Sequence, residues 1–363
     1  MDNSPDEETQ KSLYDPDPKE EADLWFLPDP AAGPAADPVG QSGFPSSRAD
    51  PHPLVQTKDW QTAEAGQAGA LARAASLFGA LDERLRKSGS GWVHRLILME
   101  VAEMSWHLGT RLAQDRLALY LAKRLSGAAQ DAQELLQAGW AVRRLTSSAP
   151  VRMGALAGFL GREHVRVPAP PDLLERPQGQ ELDGLFSDWE MLIGQAGALH
   201  PITRAALGWH MWRLLGLSGD AALIEGAVVA ARIGAEAGRG GAGFLPVALS
   251  GASAYLAGGT AAMRLETWYD AVARACLRGL MECDRVDRWQ LRAVKMTAGM
   301  SGRTPPRLTE ALTAWPLVSA PMLEARIGVS RAAVQRNMTR FEDLGLVQEV
   351  TGQGRFRFWR LTV

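Results

Sequence analysis

Lysine is nearly missing from this 363-residue sequence, six residues against 33 arginines, and cysteine is scarcer still at two. Two cysteines make neither a disulfide framework nor a four-ligand zinc site. Cys276 and Cys283 lie seven apart, so on a helix they share a face at ~10 Å along the axis. That separation is too long for a bridge, and both read as small core hydrophobes with reduced thiols. Long apolar runs are also lacking. The one charge-free stretch of near-spanning length, Gly240 to Met263, is alanine-rich and broken by Gly, Ser, Thr and Pro246, which argues against membrane insertion. An acidic, proline-rich beginning is unlike a secretory signal. These absences together lead to the expectation of a cytoplasmic protein.

What is present is unevenly distributed. Residues 1–50 hold twelve acids against Lys11, Lys19 and Arg48, a net −9, which leaves +7 on the other 313 residues of a chain whose overall charge is −2. Residues 1–58 carry ten of the 21 prolines. Such a segment buries too little apolar surface to offset its conformational entropy and is expected to be a disordered acidic tail. Its aromatic cluster, Leu24-Trp25-Phe26-Leu27, is expected to dock on the protein's own body.

Residues 59–300 read as an all-α domain. Asp59 is placed to cap a helix beginning at Trp60, and Leu71, Ala74, Ala75, Phe78, Leu81 and Leu85 follow at helical spacing. Ser88-Gly89-Ser90-Gly91 ends that helix and a second runs from Trp92 through Leu108. Further helices are predicted over 113–125, 130–145, 183–198, 201–216, 220–236 and 265–297.

Residues 301–363 change character, with nine arginines, no lysine and five acids. Arg307 to Trp315 reads as a short helix, and Ser319 caps a second from Ala320 to Ile327. Gly328-Val329-Ser330 is a tight turn in which Val329 plugs the core and Ser330 caps a third helix, Arg331 to Leu344. Helix, glycine-containing turn, helix is the helix-turn-helix pattern. Leu346 to Val350 and Arg355 to Trp359 then alternate as the two strands of a β-hairpin, the wing. On the third helix, Val334, Met338 and Phe341 fall on the side that must pack inward. The opposite side carries Ala332, Gln335, Arg336 and Thr339, with Arg331 and Arg340 flanking and Ser330 at the start. Gln and Arg read base edges through paired hydrogen bonds, while flanking arginines suit phosphates. Arg355 and Arg357 are expected on the exposed face of the wing. The fold class is thus mostly α, a multi-helix domain followed by a C-terminal winged helix-turn-helix with a small β-hairpin.

Two resemblances accompany this reading. Trp60 to Leu85, Trp140-Ala141-Val142-Arg143-Arg144-Leu145 and the ending from Ser319-Ala320-Pro321 through Ser330-Arg331-Ala332-Ala333-Val334 to Glu349-Val350-Thr351-Gly352-Gln353-Gly354-Arg355 resemble a bacterial family of unknown function. Its members run nearly the length of this chain, which implies the same architecture. Pro316 to Trp359, with its Glu-Val-Thr-Gly-Gln, is similar to the winged helix that ends many Fic-domain proteins. Pro201 to Leu207, Leu245-Pro246 with Ser250, and Leu265-Glu266-Thr267-Trp268 resemble Fic segments flanking the active loop. Fic enzymes transfer AMP with a His-Pro-Phe-x-Asp/Glu-Gly-Asn-Gly-Arg loop. The aligned segment, Gly216 to Ala222, has neither histidine nor arginine, and His200-Pro201 stands without the rest of the loop. The resemblance therefore implies a fold whose chemistry is missing, and no enzymatic activity is expected.

Other clusters favour ordinary roles. Glu100, Glu103 and His107 share one helix face, but no second Glu-x-x-His copy completes a di-metal site, so a solvated or salt-bridged face is expected. His210, between Trp209 and Trp212, reads as core. Gly238 to Gly243 lacks the Gly-Lys-Ser/Thr ending of a phosphate loop and reads as a linker. Glu163-His164 shows no triad spacing. No cofactor and no metal are expected.

The expected partner is DNA, contacted by the winged helix of a transcriptional regulator. The helical domain would supply dimerisation, as a homodimer, or would sense a ligand that the residues leave unnamed. The alternative is a helical scaffold with a degenerate Fic-like fold, whose winged helix contacts protein. An acidic tail of −9 would screen a basic surface. Deleting residues 1–50 should then raise non-specific DNA affinity at low salt, measured by fluorescence anisotropy; unchanged affinity would refute the screening.

Overall fold

The computed structural model describes residues 56–122, 132–147, 151, 154–162, 176–219, 222–352 and 357–362. The acidic tail with its Leu24-Trp25-Phe26-Leu27 cluster, the Glu163-His164 pair and Arg355 all lie outside those residues. Among the described residues the chain is mostly helical, with one small antiparallel sheet near the C-terminus.

The first helices are α1 (Thr57–Gly66) and α2 (Ala68–Ser88), where the sequence pattern predicts a single helix from Trp60. They part at Gln67, whose side chain donates to the Ala262 carbonyl at 2.5 Å. Asp59 is not the cap. Gln56 holds that position, and Asp59 lies in the first turn, where a negative charge still complements the helix dipole. The α2 stripe is as predicted: Ala74, Phe78, Leu81 and Leu85 are buried, while Leu71 and Ala75 pack half-buried against them.

Six further helices lead on from there: α3 (Ser90–His107), α4 (Gln114–Leu121), α5 (Ala132–Thr146), the short α6 (Leu156–Leu160), α7 (Gly179–Gln195) and α8 (Pro201–Leu214). After α9 (Ile224–Gly234) and the one-turn α10 (Ser253–Leu256) comes α11 (Ala261–Thr297), 37 residues or ~55 Å long. Helix α8 opens with Pro201 behind His200, whose Nδ1 accepts from the Ile202 amide at 3.2 Å. Ile202, Ala205, Ala206, Trp209, Met211 and Trp212 bury nearly its whole circumference, as expected of a helix at the centre of a bundle. Helix α11 starts at the Thr260 cap and lays Leu265, Trp268, Val272, Cys276, Cys283, Val286 and Trp289 into the core, chiefly against α2. Both cysteines are free and buried. Burial raises both thiols, Cys283 to about 11, so neither is a nucleophile at neutral pH.

Two carboxylates organise the irregular segment between α9 and α10, and here the structure corrects the sequence reading twice. Gly238 to Gly243 is no free linker. Asp82, from α2, accepts from the Arg239 and Ala242 amides at 2.7 Å each. The approach is so close that a Cβ on Gly241 would lie 1.9 Å from the Asp82 carbonyl oxygen. Likewise Glu100, from α3, is completely buried rather than solvated. It accepts from the amides of Val247 (2.7 Å), Ala248 (2.7 Å) and Leu249 (3.1 Å). Its expected companions lie further out: Glu103 pairs with Arg278 at 2.7 Å and with His107 at 3.6 Å. Among the described residues no group of three or more His, Cys, Asp or Glu side chains could hold a metal.

Burial pushes the Glu100 carboxyl up from 4.5 to about 7 against the pull of its three amide donors. The folded state thus binds an extra proton between those values. The stability this proton brings is complete below that window and lost as pH rises through it. Glu100→Gln should therefore show a flatter dependence of unfolding free energy on pH than the wild type, measured by urea denaturation at about pH 5 and about pH 8. Parallel profiles would show that Glu100 does not titrate in that window.

Candidate nucleic-acid interface

The C-terminal block folds as α12 (Thr304–Ala314), α13 (Ala320–Ile327) and α14 (Arg331–Asp343), followed by a hairpin of β2 (Val347–Glu349) and β3 (Phe358–Leu361). Both predicted caps are in place: Ser319 Oγ accepts from the Met322 amide and Ser330 Oγ from the Ala333 amide, each at 3.4 Å. Gly328 turns the chain between α13 and α14 with a φ of 65°, a conformation glycine adopts without strain. Leu308 and Leu312, Leu323 and Ile327, and Val334, Met338 and Phe341 supply the three faces of the small core, with Val329 half-buried beside them.

A strand absent from the sequence reading completes the motif. β1 (Val318–Ser319) pairs antiparallel with β3, Val318 opposite Trp359 and Ser319 opposite Phe358. On its other edge β3 pairs with β2, Val347 opposite Leu361 and Glu349 opposite Trp359. The order is β1-β3-β2, so β3 is the middle strand. Phe358 and Trp359, which alternation assigns to opposite faces, are both buried, so both faces of β3 are covered at that point, while Arg360 beside them is exposed.

Helix α14 presents the side that the periodicity predicts. Ser330, Arg331, Ala332, Gln335, Arg336, Thr339 and Arg340 are all exposed, but they are not equivalent. Arg331 is engaged within the protein: Glu324, from α13, accepts from its Nε at 3.0 Å and from its amide at 3.2 Å. The Thr339 hydroxyl turns back onto the Gln335 carbonyl at 3.1 Å. The side chains of Gln335, Arg336 and Arg340 make no hydrogen bond or ion pair with any described residue. An amide and two guanidiniums are thus left to solvent along one side of the helix.

The wing departs from expectation. Arg357 does not stand free on an exposed face. It is half-buried, 2.9 Å from Glu342 at the end of α14 and 5.3 Å over the Trp359 ring. It ties the residue just before β3 to the end of α14. The near strand ends in a local turn, with Glu349 accepting from the Thr351 amide at 2.8 Å and the Gly352 amide at 2.9 Å.

The remainder of the block is seated on the helical body through groups that sequence reasoning missed. Arg95, buried in α3, donates from Nη2 to the carbonyls of Leu312 (3.2 Å), Thr313 (3.4 Å) and Trp315 (3.1 Å), the open carboxyl end of α12. Burial lowers its guanidinium to about 10, still charged at neutral pH. A cation there satisfies orphan carbonyls and the helix dipole together. At Gly91 the two helices touch, and a Cβ would lie 1.9 Å from the Ala314 oxygen. From α11, Trp289 Nε1 donates to the Leu346 carbonyl at 2.7 Å, and Arg292 donates to that of Thr362. Arg360 reaches Asp115 at the start of α4. In sequence these are three arginines and a tryptophan, with nothing to mark their distant partners.

Comparison with known families gives one positive result. Residues 305–362 match the family model described as "HTH DNA binding domain", so the chain carries a C-terminal helix-turn-helix DNA-binding domain. The match spans α12 to β3 and does not reach the helices before it. Comparison with curated proteins finds no match.

Arg95→Met keeps much of the buried stem but removes the donors that cap α12. It should cost about 1–3 kcal/mol, the penalty for stranding buried carbonyls. Urea denaturation measures the loss; an unchanged midpoint would mean that water replaces the guanidinium.

Proposed function

We propose that the protein is a sequence-specific DNA-binding transcriptional regulator, not an enzyme, acting in the cytoplasm. Helix α14 enters the major groove. Gln335 and Arg336 face base edges, where an amide suits adenine and a guanidinium suits guanine. Arg340 sits at the flank and reaches phosphate. Ala332 and Thr339 supply the small surface that lets the helix approach, and Ser330 begins it near the sugar-phosphate backbone. Arg331 contributes charge only as far as Glu324 releases it, and Arg357 shapes the wing in place of touching DNA. Arg355 remains a wing contact in this proposal. The helical domain carries the regulatory role, either by pairing two chains or by sensing a ligand.

One observation carries the reading: the three side chains best suited to base and phosphate contact are engaged by none of the described residues. The experiment is affinity selection of fragmented genomic DNA with the purified full chain, followed by sequencing. A small set of enriched sites is expected. Arg336→Ala should lower the preference for the selected site over a scrambled one by about 1–3 kcal/mol. Arg340→Ala should instead weaken both sequences alike. Enrichment no different from a control lacking residues 301–363 would defeat the proposal.

A further inference from the structure

The helical body contains a cavity of about 380 Å³ at the end of α8, bounded by the starts of α9 and α11 and by the loop after α10. Arg213, Arg264 and His210 line it together with the apolar side chains of Trp212, Leu223 and Leu256. Its electrostatics are unusual because the two guanidiniums are held by neutral acceptors. Arg213 donates to the Tyr255 carbonyl at 2.8 Å and lies 5.8 Å over the Trp209 ring. Arg264 donates to the carbonyls of Gly259 and Ala257, each at 2.9 Å. A third bond from Arg264, also 2.9 Å, goes to His210 Nδ1.

Neither arginine has a carboxylate partner among the described residues. A guanidinium has no acceptor, so His210 Nδ1 must accept and the proton resides on Nε2. Burial, reinforced by the charges of Arg264 and Arg213, holds this imidazole well below its usual pKa, so it is neutral. Burial also lowers Arg264, and the charge of Arg213 lowers it further. Two positive groups that repel one another are therefore fixed at the wall of a partly apolar hollow with no counter-charge among the described residues. Carbonyls orient them, so little side-chain entropy remains to be lost on binding.

We propose that this cavity binds a small organic anion, a carboxylate or phosphate ester with an apolar body, whose charged head sits between the Arg213 and Arg264 guanidiniums. Both cations can donate to one anionic group, and the side chains of Leu223 and Leu256 accept the apolar portion. The volume falls within the range of small-molecule sites. The two cations come from α8 and α11, and nothing in the argument draws on the DNA-binding reading.

The test uses the full chain with phenyl phosphate, benzoate and, as an uncharged control, benzyl alcohol. Isothermal titration gives affinity and a thermal melt gives stabilisation. At least one of the two anions should bind and raise Tm while the alcohol does neither; which anion binds better separates phosphate from carboxylate ligands. Arg213→Gln should weaken that binding by roughly tenfold or more, the loss of one charge-assisted contact, with Arg213→Lys intermediate. Arg213 is exposed, so the ligand-free melt should be little changed. Leu256→Glu, at a side chain 65% exposed, should abolish anion binding by placing a like charge at the rim. Equal response to the alcohol, unchanged affinity in Arg213→Gln and Leu256→Glu, or no binding of either anion at millimolar concentration would overturn the proposal.

Discussion

Buried amides need acceptors, and in this protein two carboxylates supply them for a segment with little regular structure. Between α9 and α10 the chain buries Ala242, Phe244, Leu245, Val247, Ala248 and Leu249 without a helix long enough to absorb their N–H groups. Asp82 and Glu100 satisfy five amides there. Since one acid comes from α2 and the other from α3, the segment is held against both helices. Helix α11 packs on α2 and along the Ala248–Ser250 turn, so the longest helix lies against a surface those carboxylates create. A group kept at such desolvation cost is expected only where it has several donors, and Glu100 has three.

The same logic, with donor and acceptor exchanged, fixes the DNA-binding block. There the acceptors are carbonyls, at the end of α12, at Leu346 before β2 and at Thr362 after β3, and the body answers with Arg95, Trp289 and Arg292. Side chains from α3 and α11 thereby hold the winged helix at several separate points. Spending cations on carbonyls and carboxylates also redistributes charge. Arg331, Arg357 and Arg360 are each drawn into an ion pair, so the net +4 of residues 301–363 overstates what a phosphate backbone would meet. Among the described residues, Arg336 and Arg340 on the outer side of α14 are left without an ion pair.

Much of this was legible before any coordinates. The helix-turn-helix could be read because its signals are local: Ser319 and Ser330 act within three residues of themselves, Gly328 needs only its own φ, and Val334, Met338 and Phe341 share a face by helical spacing alone. Strand β1 could not be read, since two residues carry no alternation and exist as a strand only because β3 lies beside them. Alternation alone also does not say that Phe358 and Trp359, on opposite faces of β3, are both covered. Glu100 looked solvated, because the sequence around an acid says nothing of the amides a distant loop will bring.

The sequence by itself determined the class of each part: helices through most of the chain, a DNA-binding motif at its end and the residues on that motif's outer side. Period, cap and turn are properties of neighbours along the chain, and neighbours suffice to specify them. Which charges stay available was decided only by tertiary structure. Arg331 and Arg336 are alike in the sequence, five apart on one helix. One meets Glu324, from α13, and the other meets no described residue. Arg213 and Arg264 lie 51 residues apart and acquire joint meaning only where α8 and α11 converge on one cavity.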